Sequence, residues 1–327
     1  MGNILSQSFR LPPPTLTEKN LPDQSGRVHI VTGGYAGCGL ELSKILYQKN
    51  ATVYLAGRSA DKANAAISAI KQAFPDSKGK VDFIKVDFSD LSTIKSGVEG
   101  FLSKEKRLDV LTNNAGVMTP PAKSKDAHDR DLTLGTNIIG PYLFTKLLTP
   151  ILQSTAKDAP KNSVRVTWAS SAAAFINPPA GGVAFDKDGN VSNFSNDNGK
   201  AYAQSKASNM LLASEFAKRY GRDGIISVSW NPGNLTSELQ RHMNSVAAWV
   251  LDRVLLFPTI FGAYTELYAA CSEDITESQN GAFIAPWGRV YDAPGHITSG
   301  TKTEAEGGSG HAEKLWTWLD KTTSQYA

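Results

Sequence analysis

A tyrosine and a lysine one helical turn apart are the residues whose spacing most directly suggests chemistry. Tyr202 and Lys206 occupy positions i and i+4 of the segment Tyr-Ala-Gln-Ser-Lys, so a helix would place both side chains on one face. A neighbouring ammonium group favours phenolate and should lower the pKa of Tyr202 from its usual value near 10. The pair would then exchange protons at working pH. Ordinary solvated helix faces show the same spacing, so other residues must support this interpretation.

A second candidate site lies between Val28 and Leu42, where a predicted strand is followed by a glycine-rich turn and a predicted helix. The glycines are Gly33, Gly37 and Gly39, a G-x-x-x-G-x-G spacing. Glycines at these positions let a diphosphate approach the backbone, and the first amide groups of the helix would bind that anion. The alternative is a tight strand-to-helix turn that binds nothing.

Arg58 and Asp87, which follow the second and third predicted strands, would contact the adenosine part of a bound nucleotide. Arg58 follows the second strand, where an acidic residue would accept hydrogen bonds from a free ribose 2′-hydroxyl. A guanidinium group offers forked donors for a 2′-phosphate instead, which favours NADP(H) over NAD(H). The alternative is a surface arginine that caps the following helix. Asp87, after the third strand, would meet the adenine amino group.

Polar residues also follow the later predicted strands. The fourth strand runs into the segment 113–116, Asn-Asn-Ala-Gly, and the fifth ends in Ser170 and Ser171. Asn137 lies on an otherwise apolar helix face. Buried amide side chains need hydrogen-bond partners, so the asparagines predict a polar network at the carboxyl edge of the sheet, with an Asn-rich turn as the alternative.

A doubly wound α/β fold of Rossmann type, with a mainly parallel sheet flanked by helices, would position these residues. A first strand starts at Val28, and the further predicted strands are Thr52–Ala56, Val81–Val86, Leu108–Leu111, Val164–Trp168, Ile225–Trp230 and a short one near Phe283. Helices are predicted after the glycine turn, near Asp90, around Tyr202, and over Asp61–Phe74, Asp129–Ser154 and His311–Lys321.

Two segments outside these elements would shape a pocket. The polar insert 177–200 reads as a loop or small hairpin. The apolar stretch within 234–270 is interrupted by charged residues and proline, so it is too broken to span a membrane. It is interpreted as helices around an apolar substrate pocket, with a membrane-surface patch as the alternative.

Length and composition set further limits. The 327 residues, 41% apolar and 20% charged, are typical of a globular protein and fit one catalytic domain, 25–327, behind a leader, 1–24. The net charge of +3 is too small to indicate a nucleic-acid partner. Two cysteines and no signal-like apolar run predict a cytoplasmic protein. The five histidines lack ligand spacing, so no metal is predicted.

The leader begins Met-Gly-Asn-Ile-Leu-Ser, which fits the pattern for attachment of myristate to Gly2. One such chain would produce weak, reversible membrane association. The alternative is an inert tail.

In chain order, these motifs resemble the short-chain dehydrogenase/reductase family of the single-domain type, from about Gly26 to Thr236. The chain is most similar to retinol-dehydrogenase-like and WW-domain-oxidoreductase-like members, including fungal reductases that share Pro-Trp-Gly, here residues 286–288. The resemblance implies an NADP(H)-dependent oxidoreductase that interconverts a lipophilic ketone or aldehyde and its alcohol, acting mainly as a carbonyl reductase. The implied catalytic residues are Asn137, Ser171, Tyr202 and Lys206. The implied cofactor-binding residues are Thr32, Gly33, Tyr35, Gly37, Cys38, Gly39, Arg58, Asp87, Asn114, Ala115, Gly116, Tyr202, Lys206, Pro232, Gly233 and Thr236.

The resemblance also implies a role for each catalytic residue. Tyr202 would protonate the carbonyl oxygen as hydride arrives, while Ser171 holds that oxygen by a hydrogen bond. Lys206 would lower the pKa of Tyr202 and bind the nicotinamide ribose. Asn137 would position a water that connects Lys206 to solvent, and Thr236 would bind the nicotinamide carboxamide.

Two departures from compact family members affect these expectations. Ser171 and Tyr202 are separated by 31 positions, so the insert 177–200 is expected to form part of the pocket rim. Ser170 is an alternative to Ser171.

The competing functions are a cofactor-binding regulatory or scaffold protein without turnover, and an epimerase or dehydratase, which normally has a different glycine spacing. Retinoids, steroids and polyketide-derived carbonyls of fungal secondary metabolism are the candidate substrates, and a homo-oligomer is compatible with the sequence.

Overall fold

An eight-stranded sheet forms the centre of the molecule. The computed structural model describes residues 6–8, 11–235 and 256–327. The strands are β1 Val28–Thr32, β2 Thr52–Gly57, β3 Lys80–Lys85, β4 Val110–Asn113, β5 Val164–Ala169, β6 Ile225–Trp230, β7 Phe283–Ala285 and β8 Arg289–Tyr291. Their order in the sheet is β3-β2-β1-β4-β5-β6-β7-β8. Strands β1 to β7 pair in parallel and β8 pairs antiparallel to β7. The prediction of a doubly wound, mainly parallel sheet is confirmed.

Helices cover both faces of this sheet. They are α1 Gly37–Gln48, α2 Ala60–Ala73, α3 Ile94–Lys104, α4 Gly140–Asp158, α5 Ala173–Ile176, α6 Asn198–Tyr220, α7 Thr259–Cys271, α8 Gly295–Thr301 and α9 His311–Thr323. Because side chains alternate along a strand, neighbouring residues lie in the hydrophobic cores on opposite faces of the sheet. Ile30 belongs to the core formed with α3, α4, α6 and α9, and Val31 belongs to the core formed with α1, α2 and α7. Strands buried on both faces are typical of parallel sheets.

The prediction of one continuous helix over Asp129–Ser154 is wrong about where the helix starts and about its being continuous. Its first turn is Leu132–Leu134, and a π-helical turn, Gly135–Ile139, separates that turn from α4. Asp131 determines the start, because its carboxylate accepts a hydrogen bond from the Leu134 amide at 3.0 Å. The π turn contains Asn137, the polar residue that the sequence singled out on this helix.

The insert 177–200 contains a small hairpin, one of its two predicted forms, in which Phe185 bridges Val191 in antiparallel fashion. Helix α6 already begins at Asn198, capped by the Asp197 carboxylate. Gln204 anchors the hairpin to α6, since its side chain accepts from the Ala184 amide at 2.9 Å and donates to the Ser192 carbonyl at 3.0 Å.

The described part of the leader packs against the rest of the chain. Leu21 is buried, and Glu18 accepts a hydrogen bond from the Tyr264 hydroxyl at 2.8 Å. The domain boundary at residue 24 stays a prediction. No helix within residues 6–8, 11–235 and 256–327 has the length and hydropathy needed to cross a bilayer.

Candidate active site

The glycine-rich turn leaves the first amides of α1 open to a ligand. The residue before this helix, Ala36, provides no side-chain cap, and no acidic residue lies in the first turn. Gly33 has a φ of +67°, which favours glycine. A methyl group on Gly39 would lie 2.5 Å from the Asn114 Nδ2 atom. A side chain at either position would disrupt the turn, so both positions require glycine. Because no side chain caps the first amides of α1, an anion can approach them.

Thr32 joins this turn to the end of β4. Its hydroxyl oxygen accepts hydrogen bonds from the amides of Asn114 and Ala115 at 2.9 and 2.8 Å, and the hydroxyl donates to the Thr112 carbonyl at 3.2 Å. The Asn114 side chain donates to the Thr32 carbonyl at 2.8 Å. Thr32 and Asn114 therefore hold the glycine-rich turn in shape through the protein's own contacts.

Cys38 lies in the first turn of α1, where helix α7 packs against α1. A methyl group on Gly262 of α7 would lie 2.6 Å from the Cys38 sulfur. Burial, followed by the nearby Glu266 carboxylate, raises the pKa of the Cys38 thiol. Cys38 therefore stays a thiol at neutral pH and packs as a small apolar side chain.

Arg58 and Asp87 border a cavity of about 670 Å³ between β2, β3 and α3. Arg58 is exposed and forms no hydrogen bond or ion pair with any part of the chain that the structure describes. Ser59, rather than Arg58, caps α2 by accepting from the Lys62 amide at 3.3 Å, which removes the capping explanation for Arg58. The Asp87 carboxylate accepts from the Ser89 amide and hydroxyl at 2.9 and 2.6 Å.

Tyr35 lies near this cavity. Its hydroxyl accepts from the Ser59 amide at 3.5 Å, and its ring lies over Gly57 at the end of β2. The cavity lining does not include Tyr202, so the Arg58 end and the catalytic end of the site are separate parts of the same sheet edge.

Tyr202 and Lys206 lie on one face of α6, as their spacing predicts. The Lys206 ammonium is 5.5 Å from the centroid of the Tyr202 ring and donates to the Ala169 carbonyl at 3.1 Å. The expected fall in the pKa of Tyr202 is wrong. Burial raises the pKa of Tyr202 to about 12, and a hydrogen bond with Ser171 opposes this rise. Burial also lowers the pKa of Lys206 to about 8, because loss of water disfavours the charged form of each group.

The two serines after β5 have different surroundings. Ser170 is buried and donates to the main-chain carbonyl of Lys206 at 2.8 Å. Ser171 is partly exposed, hydrogen-bonds with Tyr202, and accepts from the Ala173 amide at 3.2 Å. The Ser171 hydroxyl acts on the Tyr202 phenol, whereas the Ser170 hydroxyl is engaged with the main chain of α6, which favours Ser171 as the substrate-facing serine.

Asn137 is buried beside the same pair of side chains. Its Oδ1 accepts from the Val117 amide at 2.8 Å, while its Nδ2 donates to the Val117 carbonyl at 2.9 Å and to the Ser205 hydroxyl at 3.0 Å. A methyl group on Gly116 would lie 3.0 Å from Asn137 Oδ1 and 3.5 Å from Lys206 Nζ. Asn137 thus connects the chain after β4 to α6 next to Lys206.

Pro232 and Gly233 follow β6 at the same sheet edge. Gly233 has a φ of +83°, and the edge of the Trp287 ring lies where a side chain on Gly233 would be, 2.7 Å from the position of a methyl group. The Gly233 amide donates to Asn231 Oδ1 at 3.1 Å. Thr236, the predicted carboxamide ligand, lies outside the described residues.

Three supporting residues were not identified from the sequence. Asn231 and Trp287 support Gly233, and Ser205 bonds to Asn137. Asn231 and Trp287 belong to segments that the sequence marked, but their contacts depend on the tertiary structure. Among the described residues, no group of three or more His, Cys, Asp or Glu side chains could hold a metal ion, and the absence of a metal stays a prediction.

Comparison with known proteins identifies similar chains. The family model described as short chain dehydrogenase matches residues 27–183. A short-chain dehydrogenase/reductase of Phomopsis amygdali is 46% identical over 323 residues, covering 96% of this chain and 94% of the relative. A solved structure of an uncharacterized protein from Mycobacterium paratuberculosis aligns with a TM-score of 0.63 at 24% identity, covering 94% and 97% of the two chains. Pseudomonas aeruginosa RhlG, solved as an active-site complex with NADP, aligns with a TM-score of 0.61 at 21% identity, covering 78% and 94%.

Proposed function

The chain belongs to the short-chain dehydrogenase/reductase family, and from this premise we propose that it is an NADP(H)-dependent reductase of a lipophilic ketone or aldehyde. The convergence of Tyr202, Lys206 and Ser171 at one sheet edge carries the proposal. These three side chains supply a proton donor, a cation and a hydroxyl within one small region. A regulatory protein without turnover would not need all three.

The residues at the sheet edge fit a nicotinamide dinucleotide. The uncapped start of α1 and the close packing at Gly33 and Gly39 would hold its diphosphate. The same fold has been solved with NADP and with NADH, so the preference for NADP(H) rests on Arg58, whose charge has no partner in the described chain. When bound, the cofactor supplies the hydride.

The proposed catalytic side chains have different roles. Tyr202 donates a proton to the substrate oxygen, and Ser171 donates a hydrogen bond to that oxygen. Lys206 binds the nicotinamide ribose and, as a cation, favours the tyrosinate that remains. Both amide hydrogens of Asn137 are engaged, so a water that resupplies protons would donate to its oxygen.

The substrate proposal rests on the surroundings of this edge. Phe257, Phe261 and Trp287 form an aromatic cluster with ring centroids 4.9 to 5.9 Å apart, and Trp287 packs on Gly233. The hairpin of residues 185–191 is anchored to α6 two residues beyond Tyr202, through Gln204. We therefore propose that an apolar or aromatic carbonyl compound, with polyketide-derived carbonyls among the first to test, enters between these features.

Replacement of the proton donor tests the function. We expect Tyr202→Phe to fold and bind NADPH but to lose about 10²- to 10⁴-fold in kcat, the usual contribution of general acid catalysis. The measurement follows NADPH absorbance with a panel of lipophilic carbonyls. Tyr220→Phe, at the other end of α6, is the matched control and should keep normal turnover. Near-normal activity of Tyr202→Phe would contradict the mechanism.

Replacement of Arg58 tests the cofactor. We expect Arg58→Asp to shift the ratio of kcat/KM from NADPH toward NADH, because a carboxylate repels a 2′-phosphate and accepts hydrogen bonds from a free ribose hydroxyl. Arg222→Asp makes the same charge change at an exposed position in the turn after α6 and should leave the ratio unchanged. An unchanged ratio in Arg58→Asp would remove Arg58 from its role.

A further inference from the structure

We infer that the N-terminal leader positions the nicotinamide half of the cofactor through the contact of Gln7 with Asn231. The inference rests on the proposed function, because it concerns the NADP(H) site of that proposal, in which Pro232 and Gly233 are predicted cofactor-binding residues and the nearby Thr236 is the predicted ligand of the nicotinamide carboxamide. It gives the leader a structural role, whereas the sequence analysis predicts either an inert tail or a lipid anchor.

Gln7 inserts into the body of the protein at the end of β6. Its side chain is 1% exposed, and its Oε1 accepts a hydrogen bond from Asn231 Nδ2 at 3.0 Å. Asn231 is 2% exposed and directly follows β6. The two residues are 224 positions apart, so this buried bond joins the start of the chain to the edge that carries the site.

Asn231 links this contact to Pro232 and Gly233, the predicted cofactor-binding residues that follow it. Its Oδ1 accepts from the Gly233 amide at 3.1 Å, and its own main-chain amide donates to the Ile284 carbonyl at 2.9 Å. The amide side chain must present nitrogen to Gln7 and oxygen to Gly233 at the same time. Loss of Gln7 would leave a buried donor unpaired and remove the partner that holds the Asn231 amide in this orientation.

The neighbouring leader residue supports the same segment from its other side. Arg289 donates to the Ser6 carbonyl at 3.0 Å and to the Pro286 carbonyl at 2.8 Å. Trp287, next to Pro286, packs its ring against Gly233. Residues 6 and 7 therefore contact both structures that hold Gly233.

A contact farther along the leader offers a matched control. Glu18 accepts from the Tyr264 hydroxyl at 2.8 Å on helix α7, and no described contact joins this pair to Asn231. Glu18→Ala would remove one leader contact without opening the path to Gly233.

The experiment compares two ligands in each full-length variant. NADPH contains the nicotinamide half, whereas 2′,5′-ADP contains only the adenosine half with its 2′-phosphate. We expect Gln7→Leu to raise the Kd of NADPH about fivefold, the effect of one neutral hydrogen bond, and to leave the Kd of 2′,5′-ADP unchanged. Glu18→Ala should change neither value. Gln7→Glu keeps an oxygen that can accept from Asn231, so it should retain more NADPH affinity than Gln7→Leu.

Each outcome decides between the interpretations. Equal weakening of both ligands by Gln7→Leu would indicate a general structural role and overturn the inference, as would unchanged NADPH binding. If Gln7→Leu does not fold, the same comparison is made with Gln7→Glu, in which NADPH alone should weaken, by less than fivefold. Failure of the wild type to bind NADPH would refute the proposed function itself, independently of Gln7.

Discussion

Burial determines the charge state of the Tyr202 and Lys206 pair. The pKa of Tyr202 rises to about 12 and that of Lys206 falls to about 8. Both shifts favour the neutral form, since both groups lose water. The tyrosine therefore carries its proton throughout the neutral range, as the proposed reduction requires, and the lysine is the group that titrates near working pH.

This difference predicts the pH dependence of reduction. Lys206 is a cation below its pKa of about 8 and loses its charge above it, so kcat/KM for carbonyl reduction should fall as the pH rises through about 8. A pH profile of kcat/KM with NADPH would reveal this limb, because that parameter reports ionisations before the substrate binds. A profile that stays flat between about pH 7 and 9.5 would contradict the assignment of Lys206.

At the scale of elements, the packing of α7 on α1 contains an acid without a partner. Glu266 on α7 is fully buried, and neither carboxylate oxygen has a hydrogen-bond partner among the described residues. Burial raises the pKa of Glu266 well above its usual value. The folded protein therefore holds a proton there that the unfolded chain releases at a lower pH.

This uptake predicts the effect of Glu266→Gln on stability. The contribution of Glu266 to the free energy of unfolding of the wild type should decrease as the pH rises above the pKa of this residue in the unfolded chain. The decrease is at most about 1.4 kcal/mol per pH unit. Glu266→Gln removes this contribution, so its stability relative to the wild type should increase between about pH 5 and 8. Urea denaturation at several pH values measures the difference. Glu273→Gln, at an exposed position after α7, is the control, and a constant difference for Glu266→Gln would refute the prediction.

At the scale of the whole molecule, the leader and the sheet form one packed structure from Ser6 onward, apart from the residues outside the described ranges. Gln7 and Leu21 are both buried against elements far along the chain. Gly2, the predicted lipid site, lies outside the described residues. We propose that the protein acts in the cytoplasm and that myristate on Gly2 provides weak membrane association.

Cell fractionation tests the lipid. We expect the wild type to be divided between the soluble and membrane fractions, and Gly2→Ala to move to the soluble fraction, because one myristoyl chain binds only weakly and reversibly. Gln7→Leu retains Gly2 and should fractionate as the wild type does. Identical distributions of Gly2→Ala and wild type would exclude lipidation at Gly2 as the anchor.

The sequence by itself determined the fold class and the family, and it predicts the residues of the site, because all of these depend on local patterns. Strand runs at Val28 and Ile225, the glycine turn and the i, i+4 spacing of Tyr202 and Lys206 are all readable within a few residues. The edge strand β8 is only three residues long, Arg289–Tyr291, too short to leave a clear pattern.

Only the tertiary structure decided the environment of these residues. The sign of the Tyr202 pKa shift depends on how much water folding removes, and the distinction between Ser170 and Ser171 depends on where α6 lies. The bond between Gln7 and Asn231 joins positions 224 residues apart. No local pattern encodes such a contact, since burial and long-range hydrogen bonding arise only when distant segments pack together.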